Sequence, residues 1–404
     1  MGVKVTSRAS NIEYAIRDVI TYTTQLVKDG KKIYYLNIGD PAAFDFKTPQ
    51  NVKDALCAAV QKDDNCYSPS EGRLDLREAI VRKEKKVNNV EITEDKVLIT
   101  EGISEGIQMI LGALVEKGDE ILFPGPTYPP YISYTRFFDG TPVSYETVEE
   151  EGWHPNIDDL RSKINKKTRA IVIINPNNPT GSVYERKEVK EILDIAGEND
   201  LPVICDEIYD QLTYEKKFCS AAHLSGDVPV IGLNGFSKVY SMTGLRLGYM
   251  YFKGEGKQLE QLKEGVEKEC RIRICANTPV QIAANAALNG PQDCVKDTVD
   301  RLRERRDFAW KRLNEIEGLS TTKPEGAFYI FPKICGIGTI WRTDMDFVVD
   351  LLKATGVLTV NGSGFDPVYG KGHARIVFLP PIAELEEAFN ELEEFMKRSK
   401  GGKK

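Results

Sequence analysis

Short uninterrupted apolar runs recur through the middle of this sequence, at Val97-Leu-Ile-Thr100, Glu120-Ile-Leu-Phe123, Ala170-Ile-Val-Ile-Ile174, Val203-Ile-Cys205 and Val230-Ile-Gly-Leu233. Stretches of helical period lie between them, among them Glu105 to Glu116 and Arg186 to Asn199. A strand with one wet face alternates apolar and polar residues. A run that is apolar on both faces belongs in a sheet covered on both sides, and the intervening helices supply the cover. The pattern predicts an α/β fold, a parallel sheet wrapped by helices. Ligands of such sheets bind beyond the carboxyl ends of the strands. Here those ends carry Thr100-Glu-Gly-Ile-Ser, Pro124-Gly-Pro-Thr-Tyr, Asn175-Pro-Asn-Asn-Pro, Asp206-Glu-Ile-Tyr and Asn234-Gly-Phe-Ser-Lys.

At 404 residues the chain exceeds a single small core, and two unequal domains are the expectation. Beyond about residue 290 the texture changes to a long charged helix, Asp293 to Ile316, then Gly326-Ala-Phe-Tyr-Ile-Phe331, Phe347 to Lys353, Ala374-Arg-Ile-Val-Phe378 and a closing amphipathic helix from Ile382 to Arg398. The expected division is an N-terminal segment 1–45 packing with the small domain, a large domain 46–290 and a small α+β domain 291–404.

Charge excludes some functions. With 54 basic against 61 acidic residues the net charge is −7, which leaves no electrostatic footprint for nucleic acid. Anionic small molecules must then be caught by local groups. Eight cysteines without a Cys-x-x-Cys pair, and only three histidines, read as reduced thiols in a cytoplasmic protein without a metal site. No apolar run approaches the ~20 residues of a membrane span, and the charged start lacks the core of a signal peptide. The basic tail Lys397-Arg-Ser-Lys-Gly-Gly-Lys-Lys404 reads as a frayed end.

The chemistry centres on Lys238, in Asn234-Gly-Phe-Ser-Lys-Val-Tyr-Ser-Met-Thr-Gly-Leu-Arg-Leu-Gly248, and on the earlier Asp206-Glu-Ile-Tyr209. An amine able to form a Schiff base and a carboxylate able to hold a pyridinium nitrogen are what pyridoxal phosphate chemistry requires. For the phosphate, the turn Gly102-Ile103-Ser104 leads from a strand into a helix whose first amides can face a dianion. Taken alone, that turn reads rather as a glycine turn capped by Ser104. Arg246, eight residues after Lys238, adds a guanidinium that can grip a phosphate with two hydrogen bonds. Tyr128 follows a strand end, where it either stacks on a pyridine ring or fills the core. Tyr209 and Asn178 are candidates to hydrogen-bond the ring hydroxyl.

Together, Asn175-Pro-Asn-Asn-Pro-Thr-Gly181, Asp206-x-x-Tyr209, Ser237-Lys238 with Arg246, and the late Arg375 resemble the class I, fold-type I aminotransferases, across nearly the whole chain. Ile12-Glu-Tyr-Ala-Ile-Arg-Asp18, Leu36-Asn-Ile-Gly-Asp-Pro41, Tyr67-Ser-Pro-Ser-Glu-Gly72 and Cys275-Ala-Asn-Thr-Pro279 are most similar to the alanine aminotransferase branch. The resemblance implies the fold-type I transferase fold, with a mostly parallel mixed sheet in the large domain, and pyridoxal 5'-phosphate as cofactor. It implies that Lys238 carries the Schiff base, that Asp206 binds the pyridine nitrogen, and that Arg375 and Asn178 bind the substrate α-carboxylate beside the Gly39 backbone. It also implies a homodimer with shared sites, Tyr67 and Asn277 reaching the partner's cofactor. Asn175-Pro176 and Asn178-Pro179 become cis candidates. One departure stands out: aspartate aminotransferases of this class carry a phosphate-binding serine three residues before the lysine, and here that position is Gly235, leaving Ser237 to compensate.

The expected reaction is a ping-pong transfer of an amino group from L-alanine to 2-oxoglutarate. Aspartate or a broader range of amino acids is the alternative, then a β-lyase on the same fold. A non-enzymatic regulator is disfavoured, since Lys238, Asp206 and Arg375 are all present. Arg17 and Tyr14 are the candidates for substrate selection, with Arg271 and Arg273 as substitutes; Arg17 reads equally as a surface ion-pair partner.

Overall fold

A computed structural model describes residues 3–10, 12, 16 and 19–401. Tyr14 and Arg17 lie outside the described residues. The central sheet has eight strands, β1 (Val97–Thr100), β2 (Glu120–Gly125), β3 (Thr141–Val148), β4 (His154–Pro155), β5 (Thr168–Ile174), β6 (Val203–Asp206), β7 (Val230–Gly235) and β8 (Gly248–Lys253), in the order β1-β8-β7-β6-β5-β2-β3-β4. The run from β7 through β3 is parallel, as the apolar runs predict. The sheet is nevertheless mixed. β8 runs antiparallel to both β7 and β1, because the segment carrying Lys238 turns back beside its own strand instead of crossing over through a helix.

Burial explains why these strands lack polar residues. Val97, Ile99, Ile171, Ile173, Val203, Cys205, Tyr249 and Tyr251 join one apolar cluster, and the alternating Leu98, Ala170, Val172, Ile204, Met250 and Phe252 join another. Successive side chains thus enter cores on opposite faces of the sheet. Among the helices covering them, Ile103–Leu114 follows β1 and Arg186–Glu198 follows β5. Smaller sheets complete the structure. Tyr34–Tyr35 runs parallel to Val357–Leu358, and Ala374–Val377 lies between Tyr329–Ile330 and Val360–Asn361, antiparallel to both. The long charged helix spans Asp293–Glu315 and the closing helix Ile382–Gly401. Among the described residues no helix is long and apolar enough to cross a membrane, and no group of acidic, cysteine or histidine side chains is arranged to hold a metal ion.

Because β1 is antiparallel to β8, and β8 to β7, the carboxyl end of β1 lies on the same edge as those of β5, β6 and β7. The register fixes this closely: Thr100 pairs with Gly248, and Gly248 with Gly235. The turn at 101–104, the start of β8 with Arg246, and the Lys238 loop are thereby gathered at one place.

Candidate active site

A cavity of about 430 Å³ opens at that edge, lined among others by Gly39, Ile103, Ser104, Tyr128, Asn178, Asp206, Tyr209, Ser237, Lys238, Arg246 and Arg375. Residues far apart in sequence are thus brought together. Lys238 Nζ donates to the Gly39 carbonyl at 2.7 Å. Removal from water pulls its pKa down to about 8; Asp40 and Asp206 oppose this, while Arg375 and Arg246 reinforce it. Such an amine is neutral more often than an exposed lysine, as a nucleophile must be.

Asp206 ends β6 and is buried, its Oδ1 accepting from Ile208 N at 3.3 Å and its Oδ2 from Tyr131 Oη at 3.2 Å. Burial pushes its pKa up to about 6, against these hydrogen bonds and the Lys238 charge. The carboxylate remains ionised at neutral pH, ready for a cationic partner.

Arg246 adopts a left-handed backbone conformation, φ 52°, rare for a residue with a side chain. Its Nη1 donates to Thr243 O at 2.8 Å and its Nη2 to Glu101 O at 3.3 Å, which holds the guanidinium over the turn before Ile103–Leu114. Gly102 makes this possible. Its φ is 80°, and a Cβ there would overlap Arg246 Nη2 and lie 2.9 Å from Cζ. Ser104 lines the cavity, and the helix Ile103–Leu114 has Gly102 at its cap with no side-chain cap hydrogen bond. Gly235 also has a steric reason: a Cβ would stand 3.0 Å from the Gly248 Cα and 3.1 Å from Leu247 O, so the backbone pairing of β7 with β8 leaves little room for a serine. Ser237 faces the cavity two residues on.

Arg375 is fully buried on the strand Ala374–Val377. Its guanidinium lies 4.6 Å from the Tyr329 ring centre and 4.8 Å from that of Phe365; Nη1 donates to Asn178 Oδ1 at 3.0 Å and Nη2 to Asn37 O. A guanidinium packed this way is rigid before any carboxylate arrives. Asn175-Pro176 is cis. Asn178-Pro179 is trans, and the turn after it closes through Gly181 N donating to Asn177 O at 3.0 Å.

Other candidates lie elsewhere. Tyr67 is 81% exposed, and Asn277 is exposed and caps the helix Thr278–Asn289, its Oδ1 accepting from Val280 N at 3.1 Å. Neither lines this chain's own cavity. Arg273 is committed to Glu105, Ile99 O and Ser70 O, and the exposed Arg271 pairs with Glu267, so neither is placed to select a substrate here. Sequence reasoning missed Asp40, Tyr131 and Tyr329. Asp40 caps the turn Pro41–Ala43, accepting from Ala42 N at 3.0 Å, but it also accepts from Thr243 Oγ1 and lines the cavity. Tyr131 follows Tyr128 by three residues at a helix start, a spacing that places both on one side.

The donor set fits pyridoxal phosphate: an amine of lowered pKa, a buried carboxylate, a tyrosine, and a guanidinium over a helix start that only glycine allows. The chain matches the family aminotransferase class I and II over residues 31–392. It is 37% identical over 397 residues to the alanine aminotransferase of Mycobacterium tuberculosis, covering 96% of this chain and 92% of that protein. It is 36% identical over 398 residues to the glutamate-pyruvate aminotransferase of Escherichia coli, covering 98% of each. A solved alanine aminotransferase from Pyrococcus furiosus superposes with a TM-score of 0.95 at 53% identity, over 98% of this chain and 100% of that one. Motifs, fold and these whole-length matches converge, and the chain belongs to the class I and II aminotransferases, enzymes that use pyridoxal phosphate.

Proposed function

We propose that this chain transfers an amino group from L-alanine to 2-oxoglutarate, giving pyruvate and L-glutamate. The observation that carries the reading is the convergence of Lys238, Asp206 and the buried Arg375 on one cavity. The alanine and glutamate-pyruvate names of whole-length relatives support the substrate pair.

Bound pyridoxal phosphate supplies an electrophilic carbonyl for the substrate amine and a conjugated ring that accepts the electron pair released at the substrate Cα. Arg246, Ser104, Ser237 and the amides after Gly102 hold its phosphate, Tyr128 and Tyr209 its ring, and Asp206 its protonated nitrogen. Arg375, fixed between two aromatic rings, takes the α-carboxylate through two parallel hydrogen bonds with Asn178 alongside. Pinning the carboxylate removes much of the substrate's freedom before chemistry begins. Lys238 Nζ, partly deprotonated near neutral pH, would take the proton from the substrate Cα as a base and, as the conjugate acid, deliver it to the carbon that carried the cofactor's carbonyl. The reading extends to a cytoplasmic homodimer in which Tyr67 and Asn277 serve the partner's site.

A half-reaction panel tests this. Alanine, aspartate, glutamate and an aromatic amino acid are mixed separately with the holoenzyme, following the cofactor's absorption and the released products. Alanine and glutamate should react fastest, with pyruvate formed from alanine and no ammonia. Ammonia release, or an inert response to alanine with a fast one to aspartate, would overturn the reading. Relatives named aromatic amino acid aminotransferase, 37% identical in one case, are the reason for the aromatic arm.

A further inference from the structure

We propose that Tyr329 is a positioning residue for transamination: its hydroxyl orients Tyr209, and its ring holds Arg375. The inference rests on the roles given above to those two residues. Tyr329 begins the strand Tyr329–Ile330, which pairs antiparallel with Ala374–Val377 so that Tyr329 stands opposite Val377. Arg375, two residues before Val377, is then the diagonal neighbour of Tyr329 on the same face, within reach of a long side chain. This register brings the guanidinium to 4.6 Å from the Tyr329 ring centre. On its other side, the Tyr329 hydroxyl lies 2.7 Å from that of Tyr209, with the two rings perpendicular at 89° and 5.7 Å between centres. The same hydroxyl fills the space a Cβ on Gly39 would need, and the Gly39 carbonyl accepts from Lys238.

Tyr329 therefore touches the group assigned to the ring hydroxyl, the group assigned to the carboxylate, and the backbone that holds the lysine. A Tyr329 hydroxyl that donates to Tyr209 leaves the Tyr209 proton for the cavity and polarises it, making it a stronger donor. The charged groups that line the cavity with this pair are Asp40, Asp206, Lys238, Arg246 and Arg375. Bare core packing would require neither hydroxyl, since phenylalanine fills the same space.

The test is a pH titration of the visible absorption band of the substrate-free holoenzyme. Tyr209→Phe should raise the band's apparent pKa, Tyr329→Phe should raise it by roughly half a unit, and Tyr329→Phe added to Tyr209→Phe should raise it no further. Since the ring remains in Tyr329→Phe, its KM for alanine should stay within about twofold of wild type, whereas Tyr329→Leu should raise KM roughly tenfold. The phenylalanine variant carries the test even if the leucine variant fails to fold. A Tyr329→Phe titration identical to wild type, or a shift of equal size in both backgrounds, would overturn the inference. Wild-type protein that does not convert alanine defeats the proposed function instead; wild type that transaminates, with Tyr209→Phe shifted and Tyr329→Phe silent, defeats this inference alone.

Discussion

Replacing Glu207 by glutamine should stabilise the protein, and only above mildly acidic pH. Glu207 neighbours Asp206 in sequence but is buried away from the cavity. Its oxygens accept from Ser220 Oγ at 2.9 Å, Ala221 N at 3.0 Å and Tyr251 Oη at 3.3 Å. Burial, followed by the charge of Glu84, pushes its pKa from an ordinary 4.5 up to about 8. The folded chain then holds a proton that the unfolded chain releases above pH 4.5, so the folded state binds more protons and stability falls as pH rises towards 8. The slope is about 1.4 kcal/mol per pH unit, or about 4 kcal/mol between pH 5 and pH 8. A glutamine is neutral throughout and keeps an oxygen for the Ala221 amide. Glu207→Gln should therefore match wild type at pH 5 and exceed it by a few kcal/mol at pH 8. Urea unfolding of the holoenzyme at fixed protein and cofactor concentrations reads this directly. Equal pH slopes in the two proteins, or a variant weaker than wild type at pH 8, would refute a protonated Glu207.

Other outcomes follow from the same geometry. Gly102→Ala places a methyl against the Arg246 guanidinium, so cofactor affinity of the apoenzyme, followed by titration, should fall roughly tenfold or more, the loss expected from disturbing a charge-assisted hydrogen bond. Arg375→Lys loses the fork and should raise KM for alanine by about one to two orders of magnitude, while leaving the slow reaction of amines that lack a carboxylate nearly unchanged. Lys83 lies between buried Glu84, at 2.9 Å, and Asp210, at 2.5 Å; Lys83→Met should cost about 3–5 kcal/mol in unfolding experiments, because two carboxylates lose their cation. With Lys238 near 8, the rate of cofactor uptake by the apoenzyme should climb with pH as the amine loses its proton and level off above that value. A flat profile would argue that another step limits uptake.

How much of this was legible in the sequence differs by region. The parallel strands were, because burial on both faces leaves an unbroken apolar run that few other settings produce. The reversal at β8 was not: Gly248–Lys253 is as apolar as its neighbours, and direction is set by the loop before it, which has no periodicity to read. Lys238 and Asp206 stood out through their places after strands, and Arg246 through its place eight residues after Lys238. Tyr329 did not, since a tyrosine in Gly326-Ala-Phe-Tyr-Ile-Phe331 looks like one more aromatic of a buried strand, and only the register against Ala374–Val377 sets it beside Arg375. Asp40 was hidden for another reason: a residue that does cap a turn gives no sign that it also faces Lys238.

The run Asp206-Glu207-Ile208-Tyr209-Asp210 shows how such sites are divided. Asp206, Ile208 and Tyr209 line the cavity, while Glu207 and Asp210 do not. Asp210 accepts from Lys83, Asn88 and Asn234 through one oxygen, and Asn234 Oδ1 in turn accepts from the Gly235 amide at 2.7 Å, at the end of the strand that leads to Lys238. The turn carrying Asp206 is thus tied, through buried polar contacts, to the strand end that leads to Lys238. Backbone pairing of β6 with β7 and this side-chain tie together set the spacing between Asp206 and the strand end that leads to Lys238. An acidic residue beside one that lines a cavity is easily taken for part of the same site; here Glu207 and Asp210 differ from Asp206 in lying off the cavity, and their work is to hold the frame on which it stands.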